Sequence, residues 1–140
     1  MINEHLCKNL IVYEKKARRR KIKMAAEDVR VLTIENTPVE EVPGTGGIKR
    51  IITKENTGMN ITFSVGQLEP GAGHGWHFHE TQDEALYILE GNGTISIEEK
   101  DDIQYRAGMA VIIPAKVRHQ NRNTGITPVK AISVFNPALR

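Results

Sequence analysis

The chain has 140 residues, which is the length of a single domain. Hydrophobic residues make up 39% of it and charged residues 26%, a composition typical of a globular protein rather than of a disordered or fibrous one. No apolar run approaches the roughly 18 residues that a transmembrane helix needs. The one cysteine, Cys7, excludes an internal disulfide, a cysteine-rich zinc site and an iron–sulfur cluster.

The net charge of +2 hides an uneven distribution along the chain. Seven of the nine residues from 15 to 23 are Lys or Arg, whereas residues 24–140 contain 11 Lys and Arg against 15 Asp and Glu, a net charge of −4. The body of the chain lacks the spread of basic residues that a nucleic-acid-binding face requires. We therefore expect neither a nucleic acid nor a membrane as a partner.

Residues 1–28 are interpreted as a basic N-terminal extension, helical or disordered, that precedes a single domain over residues 29–140. The apolar residues of the extension come before its charges, which is the reverse of a secretory signal, so we expect a cytoplasmic protein. The basic run is either an arm for a nucleic acid or an anionic surface, or a solvated extension. We favour the solvated extension, because short charge runs at chain termini are usually solvated.

From Val29 onward, turn residues recur at short intervals and no helical period is sustained, which predicts an all-β domain. The clearest strand lies over residues 59–68, where Met59 and Phe63 belong to an apolar set that alternates with polar or small residues. Many short strands indicate a sandwich or a small barrel, whose interior can hold side chains or one small ligand. Further strands are predicted over 48–54, 84–90, 94–98, 109–113, 117–121 and 129–135.

Four of the five histidines lie in this strand-rich part. His77 and His79 are two residues apart, so both imidazoles point to the same face of an extended strand. The polar residues 80–83 can bend the chain and bring Glu84 beside them, and His119 comes from a later strand of the same barrel. The alternative is that these histidines are ordinary polar residues near strand turns. It would explain a single histidine better than it explains this cluster.

Three imidazoles and one carboxylate suit one divalent transition metal ion, such as Fe, Mn, Ni, Co or Zn. The predicted metal ligands are His77, His79, Glu84 and His119. Four protein ligands in an octahedral arrangement leave two positions for water or substrate, which would make the site reactive rather than structural.

Two stretches of the chain resemble the two characteristic motifs of the cupin superfamily, in its small single-domain form. In the first, over residues 71–91, every fixed position is met: Gly71, His77, His79, Glu84 and Gly91. In the second, over residues 108–123, these positions are met: Gly108, Pro114, His119 and Asn123. Lys116 stands where the second motif usually has Gly, which would alter the turn or project an amine toward the mouth of the barrel.

The resemblance covers residues 48–137 and implies a cupin-type double-stranded β-helix, the jelly-roll barrel of two antiparallel sheets, commonly as a homodimer. It implies metal-ligand roles for four residues only: His77, His79, Glu84 and His119. These are the same four that their spacing selects.

The sequence predicts a metal-dependent enzyme that acts on a small organic substrate. Glu84 and Gln82 are the candidate catalytic residues, Gln82 as a hydrogen-bond partner of a metal-bound water or else as a solvated loop residue. A mainly apolar lining, with Phe63, Met59 or Phe135, favours dioxygenase-like chemistry slightly over isomerase, lyase or decarboxylase chemistry. A non-catalytic module that binds a small ligand is the alternative.

Four more residues are weaker candidates for the site. His74 and Trp76 precede the histidine pair, and Trp76 either walls the pocket or packs in the core or a dimer interface. Arg50 and Lys116 are the nearby cations that could hold a carboxylate.

Overall fold

The structure is a computed structural model that describes residues 29–139. The predictions for residues 1–28, Cys7 among them, lie outside the described residues. From Leu32 onward the chain forms one compact unit, which contains every element described below. In the described part of the chain, no helix has the length and apolar character needed to cross a membrane.

Nine strands form two antiparallel sheets, which confirms the predicted all-β jelly-roll class. One sheet has five strands in the order β1-β2-β9-β4-β7, and the other has four in the order β3-β8-β5-β6. Strands distant in sequence are thus neighbours in space, so residues from separate motifs face one interior. The strands are β1 (Ile48–Ile52), β2 (Thr62–Leu68), β3 (Gly73–His77), β4 (Asp83–Glu90), β5 (Asn92–Ile97), β6 (Ile103–Arg106), β7 (Ala110–Ile113), β8 (His119–Arg122) and β9 (Val129–Asn136).

Seven of these strands fall within or close to the predicted ranges, whereas β6 was not predicted and β3 was anticipated only around its histidines. The strand predicted over 48–54 also ends early, because helix α1 (Lys54–Thr57) begins there. Thr53 caps this helix: its hydroxyl accepts from the N–H of Asn56 at 3.1 Å, and its own N–H donates to the Asn56 side chain at 2.9 Å. A reciprocal cap of this kind ends a strand and starts a helix within one residue.

The expected orientation of β2 is wrong. Thr62 and Ser64 are buried and Leu68 belongs to the core, whereas Phe63 lies on the opposite, half-buried face. Met59 lies before the strand and is exposed. Phe63 and Met59 therefore do not face the barrel interior, whereas Thr62 and Ser64 lie on the same face as Leu68.

The core lies between the sheets. Ile88 of β4 and Ile95 of β5 are fully buried at its centre. Tyr105 adds an aromatic ring whose hydroxyl donates to Oδ1 of Asn121 at 2.7 Å, and burial raises the pKa of Tyr105 to about 12. The other members of the core cluster are Leu68, Leu86, Val111, Ile113, Val129 and Ala131.

The connection between β8 and β9 is held by Asn123, which is almost completely buried. Its side-chain nitrogen donates to the carbonyls of Leu68 and Thr127, at 2.9 and 2.8 Å. Its oxygen accepts from the N–H of Gly125 at 2.9 Å. Asn123 thus satisfies backbone groups of two separate segments, which explains its place in the second motif in structural terms.

Lys116 keeps the backbone geometry that favours glycine. Its φ is +66°, and among residues 29–139 the only other non-glycine residue with a positive φ is Glu99, at +60°. The lysine does not alter the turn but adopts its left-handed conformation, in which a Cβ atom costs about 1–2 kcal/mol. Its side chain is exposed and does not reach the cavity described below.

We predict that Lys116→Gly raises the free energy of unfolding by roughly 0.5–1 kcal/mol. Glycine relieves the left-handed strain, and part of that gain is offset by the greater freedom of glycine in the unfolded chain. Urea denaturation measures the change. Lys100→Gly, in a turn position without positive φ, is the matched control and should lower stability. A loss of stability in Lys116→Gly would contradict the strain.

Candidate metal centre

Three histidine rings meet inside the barrel. His77 ends β3 and pairs in register with His119, the first residue of β8, and the two ring centroids are 4.3 Å apart. His79 follows two residues after β3, with its ring centroid 5.1 Å from that of His77 and 5.6 Å from that of His119. One ring nitrogen of each residue lies within 4.8 Å of a ring nitrogen of the others, so the three could hold one metal ion.

Backbone carbonyls orient two of these rings. Nδ1 of His77 donates to the carbonyl of Gly75 at 2.7 Å, and Nδ1 of His119 donates to the carbonyl of Val117 at 2.8 Å. A carbonyl only accepts, so each neutral ring carries its proton on Nδ1 and keeps the lone pair of Nε2 for another partner. Metal-binding histidines are commonly held by such contacts.

Glu84 supplies a carboxylate to the same cluster. It lies near the start of β4 and is buried, with Oε2 at 3.3 Å from Nε2 of His79 and 3.7 Å from Nε2 of His119. The structure therefore brings together all four residues that the sequence selects as ligands. That they bind an ion remains a prediction.

The cluster shifts pKa values in opposite directions. Burial acts to raise the pKa of Glu84, but its close contacts with the imidazoles of His119 and His79 outweigh burial and lower that pKa to about 2. Burial acts to lower the pKa of His119, yet Glu84 and the carbonyl of Val117 raise it above its usual value. For His77 burial dominates and lowers the pKa. At neutral pH Glu84 is thus ionised and His77 neutral, the forms that bind metal.

The Nε2 atom of His79 provides an independent test of whether these residues fit a metal ion. Within residues 29–139 this atom is buried without a hydrogen-bond partner, and Oε2 of Glu84 lies 3.3 Å away as an ion-pair contact. An unsatisfied buried polar atom costs about 1–3 kcal/mol. Coordination of a cation would use that lone pair, so the residues fit the implied ion.

The turn before β8 fixes the segment between the second histidine and the glutamate. The N–H of Lys116 donates to the carbonyl of His79 at 2.7 Å. The N–H of Ala115 donates to Oδ1 of Asp83 at 2.9 Å. Both ends of the segment are therefore attached to the turn that leads into β8.

A cavity of about 170 Å³ opens beside the cluster, which is close to the roughly 150 Å³ that accommodates a molecule the size of benzene. Phe135 lines it as expected, but Phe63 and Met59 do not. The lining outside the four clustered residues is mainly apolar, as expected, and its apolar members are Val42, Ile48, Leu68, Leu86, Ile113, Val129, Ala131 and Phe135. Polar side chains interrupt it at these positions: Arg50, Ser64, Gln67, His74, Asn121 and Ser133.

Several candidates from the sequence lie elsewhere. Gln82 is half-buried just before β4 and does not line the cavity, so the structure does not bring it to the cluster. Trp76 is exposed and does not wall the cavity either; the guanidinium of Arg118 lies 5.8 Å from its ring centroid. Arg50 and His74 do line the cavity.

Ser64 and Ser133 are cavity residues that sequence reasoning missed. Alternation along β2 could have identified Ser64. It is an even number of residues from Leu68, which belongs to the core, so both side chains point to the same face of the strand. The stronger apolar set on the other face of the strand masked that signal.

The profile of a family described as "Cupin domain" matches residues 64–135, which runs from β2 into β9 and includes the four clustered residues. The match extends over about half of the chain. It contains both motifs, with all of their predicted ligand positions.

Individual relatives agree with this profile. Protein SchB of Streptomyces halstedii is 26% identical over 117 residues, which cover 81% of this chain and 82% of SchB. A probable oxalate decarboxylase of Arthroderma benhamiae is 30% identical over 100 residues, which cover 67% of this chain but 25% of that protein. The crystal structure of a predicted oxalate decarboxylase from Thermotoga maritima matches with a TM-score of 0.69 and 25% identity, over 77% of this chain and 99% of that one.

We predict that replacing His77, His79 or His119 by Ala lowers metal affinity roughly 100-fold, because changes even to residues that only orient a ligand cost 10–100-fold. Elemental analysis of protein purified without added metal measures the metal content of each variant.

His74→Ala is the matched control for these variants. His74 lines the same cavity, with its ring centroid 6.2 Å from that of His77, but it is not part of the three-histidine group. We expect it to retain the metal content of the unaltered protein. Full metal content in His77→Ala and His119→Ala, with circular dichroism showing both folded, would contradict the assigned site.

Proposed function

The chain belongs to the cupin family, and we propose that it is a mononuclear metal-dependent enzyme acting on a small organic substrate. The observation that carries this proposal is the convergence of three histidines and Glu84 beside a cavity of about 170 Å³. A structural metal site needs no adjoining cavity, whereas a catalytic one needs room for a substrate next to open coordination positions.

A divalent ion bound there would act as a Lewis acid on a substrate oxygen. The residues of the chain prepare the site for it. The carbonyls of Gly75 and Val117 hold two imidazoles in the metal-binding tautomer. Glu84, with a pKa of about 2, is a weak base, so a role as ligand suits it better than proton transfer. Apolar side chains such as Leu86 and Phe135 exclude water from part of the cavity.

Within this class we favour a reaction without dioxygen, catalysed by a decarboxylase, lyase or isomerase, over dioxygenase chemistry. The mainly apolar lining gave dioxygenase chemistry only a slight preference, and the polar side chains that interrupt it, Arg50 and Ser64 among them, offset that preference. Two of the relatives are named as oxalate decarboxylases, one probable and one predicted. The chain spans a quarter of the fungal one, so the name supports the reaction class only. A non-catalytic ligand-binding module remains the alternative, and the cytoplasmic location remains a prediction.

We predict turnover of a small organic substrate without oxygen consumption. The protein, loaded in turn with Fe, Mn, Ni, Co and Zn, is incubated with keto acids, diketones, phenols and thiols while product formation, carbon dioxide and dissolved oxygen are followed. Activity should require the metal and disappear in His77→Ala. Oxygen uptake in proportion to product would establish the dioxygenase alternative instead. Saturable binding without turnover under every condition would favour the binding module.

We also propose that the protein is a homodimer, as the family resemblance implies. Apolar side chains lie exposed on the outer face of the five-stranded sheet, with Tyr87 and Leu89 on β4 and Ile112 on the neighbouring β7. Ile112 is 67% exposed. A second copy of the chain would cover this face and remove its apolar surface from water.

Sedimentation velocity tests the dimer. We expect Ile112→Glu to convert a dimeric protein into monomers, because it places a charge in the apolar contact. Ile126→Glu, at a residue 95% exposed in the β8–β9 connection, should leave the dimer intact. A monomeric unaltered protein would contradict the proposal.

A further inference from the structure

Three polar side chains form a row across the inner wall of the five-stranded sheet. Arg50 of β1 pairs in register with Ser64 of β2, and Ser64 pairs with Ser133 of β9. Directly opposed residues of antiparallel strands project to the same face, and all three line the cavity. The row lies on one sheet, whereas His77 and His119 belong to the other.

Ser64 lacks a partner in this row. It is 2% exposed, and its hydroxyl has no hydrogen-bond partner within residues 29–139. Most buried polar side-chain atoms are satisfied, so an unsatisfied hydroxyl on a residue that lines a cavity suits a ligand that completes its hydrogen bonding. No packing requirement explains a serine here, because an alanine would fill the position without an unpaired polar atom.

Arg50 supplies the positive charge. Its side chain is 19% exposed, and it is the only Lys or Arg among the described residues that line the cavity. Its Nε donates to both carboxylate oxygens of Glu40, at 3.0 and 2.9 Å. The guanidinium has four further N–H donors on its terminal nitrogens. One face of the group is therefore paired with Glu40 while other donors remain for a second acceptor.

We propose that Arg50, Ser64 and Ser133 bind a carboxylate group of the substrate, at a subsite separate from the metal-binding residues. This inference rests on the proposed function and specifies its substrate class. A carboxylate fits because the guanidinium and two hydroxyls match its two oxygens and single charge. A phosphate dianion fits less well, since Glu40 already offsets much of the one positive charge at the subsite.

Register places the subsite relative to the metal-binding end. Ser133 pairs with Leu86 of β4, and Glu84 pairs with Phe135, so the row of Arg50 is displaced by two residues from that of Glu84. Two residues along a strand span about 7 Å. A small carboxylate anchored in the row can therefore extend a second oxygen-bearing group toward the metal.

Isothermal titration calorimetry of the full chain with acetate, pyruvate and benzoate tests the subsite. Each is titrated into zinc-loaded and metal-free protein, with benzamide as the neutral analogue of benzoate. At least one carboxylate should bind the metal-free protein, and benzamide should bind more weakly. Arg50→Gln should weaken carboxylate binding roughly tenfold or more, through loss of a charge-assisted pair. Arg106→Gln, an exposed arginine of β6, is the control and should leave the affinity unchanged.

Two further variants separate a binding role from a structural one. Ser64→Ala should weaken carboxylate binding several-fold while the melting temperature is kept or raised, because no hydrogen bond within the protein is lost. Glu40→Gln should strengthen carboxylate binding, because it removes a competing negative charge from Arg50. If Ser64 and Glu40 only stabilised the fold, their replacement would lower the melting temperature and would not change carboxylate binding in these directions.

The subsite is overturned if no carboxylate binds, if binding is equal in Arg50→Gln and the unaltered protein, or if inorganic phosphate displaces the best carboxylate at lower concentration. A failure of the subsite can be distinguished from a failure of the proposed function. A protein without metal or turnover that still binds benzoate through Arg50 would refute the enzyme and keep the subsite. Metal-dependent turnover without any effect of Arg50→Gln on carboxylate binding would support the enzyme and refute the subsite.

Discussion

The structure depends on the burial of a negative charge among imidazoles. An isolated carboxylate inside a protein costs several kcal/mol, so burial alone would leave Glu84 neutral. Its contacts with His79 and His119 reverse that tendency and hold its pKa at about 2. The contacts require β4, β8 and the segment after β3 to meet at one point. The jelly-roll connectivity brings these segments together from opposite sheets.

The cluster could be predicted because three of its four residues lie close together in the sequence. His77 and His79 share a face by alternation, and Glu84 follows after a short bend, so their meeting needs no knowledge of the whole fold. His119 needed the second motif, since its strand is set by pairing with β3. The strand character of most segments also followed from β-branched residues and regularly spaced turns. Family resemblance then supplied the arrangement of the strands, which composition cannot give.

The remaining features are set by long-range pairing. β3 contains two glycines and β6 has four residues, so neither carries a strong pattern of its own, and both become strands by pairing with neighbours. In β2, the alternation of apolar and polar residues was predicted, but the set of residues that faces the interior was not. The rule that apolar residues face inward assumes a dry interior. It fails at Ser64, which lines a cavity, although Leu68 on the same face of β2 follows it. The glycine-like backbone of Lys116 is likewise imposed by its turn rather than by its residue type.

The paired backbone contacts of Ala115 and Lys116 have a consequence for how the centre responds to change. They connect the segment that leads to Glu84 with the turn that leads to His119, so a shift of one residue is transmitted to the other. If these residues bind an ion, one that is too large or too small would have to displace several segments of the barrel at once. We therefore expect the surroundings of the cluster, as well as its donor chemistry, to influence which cation it accepts.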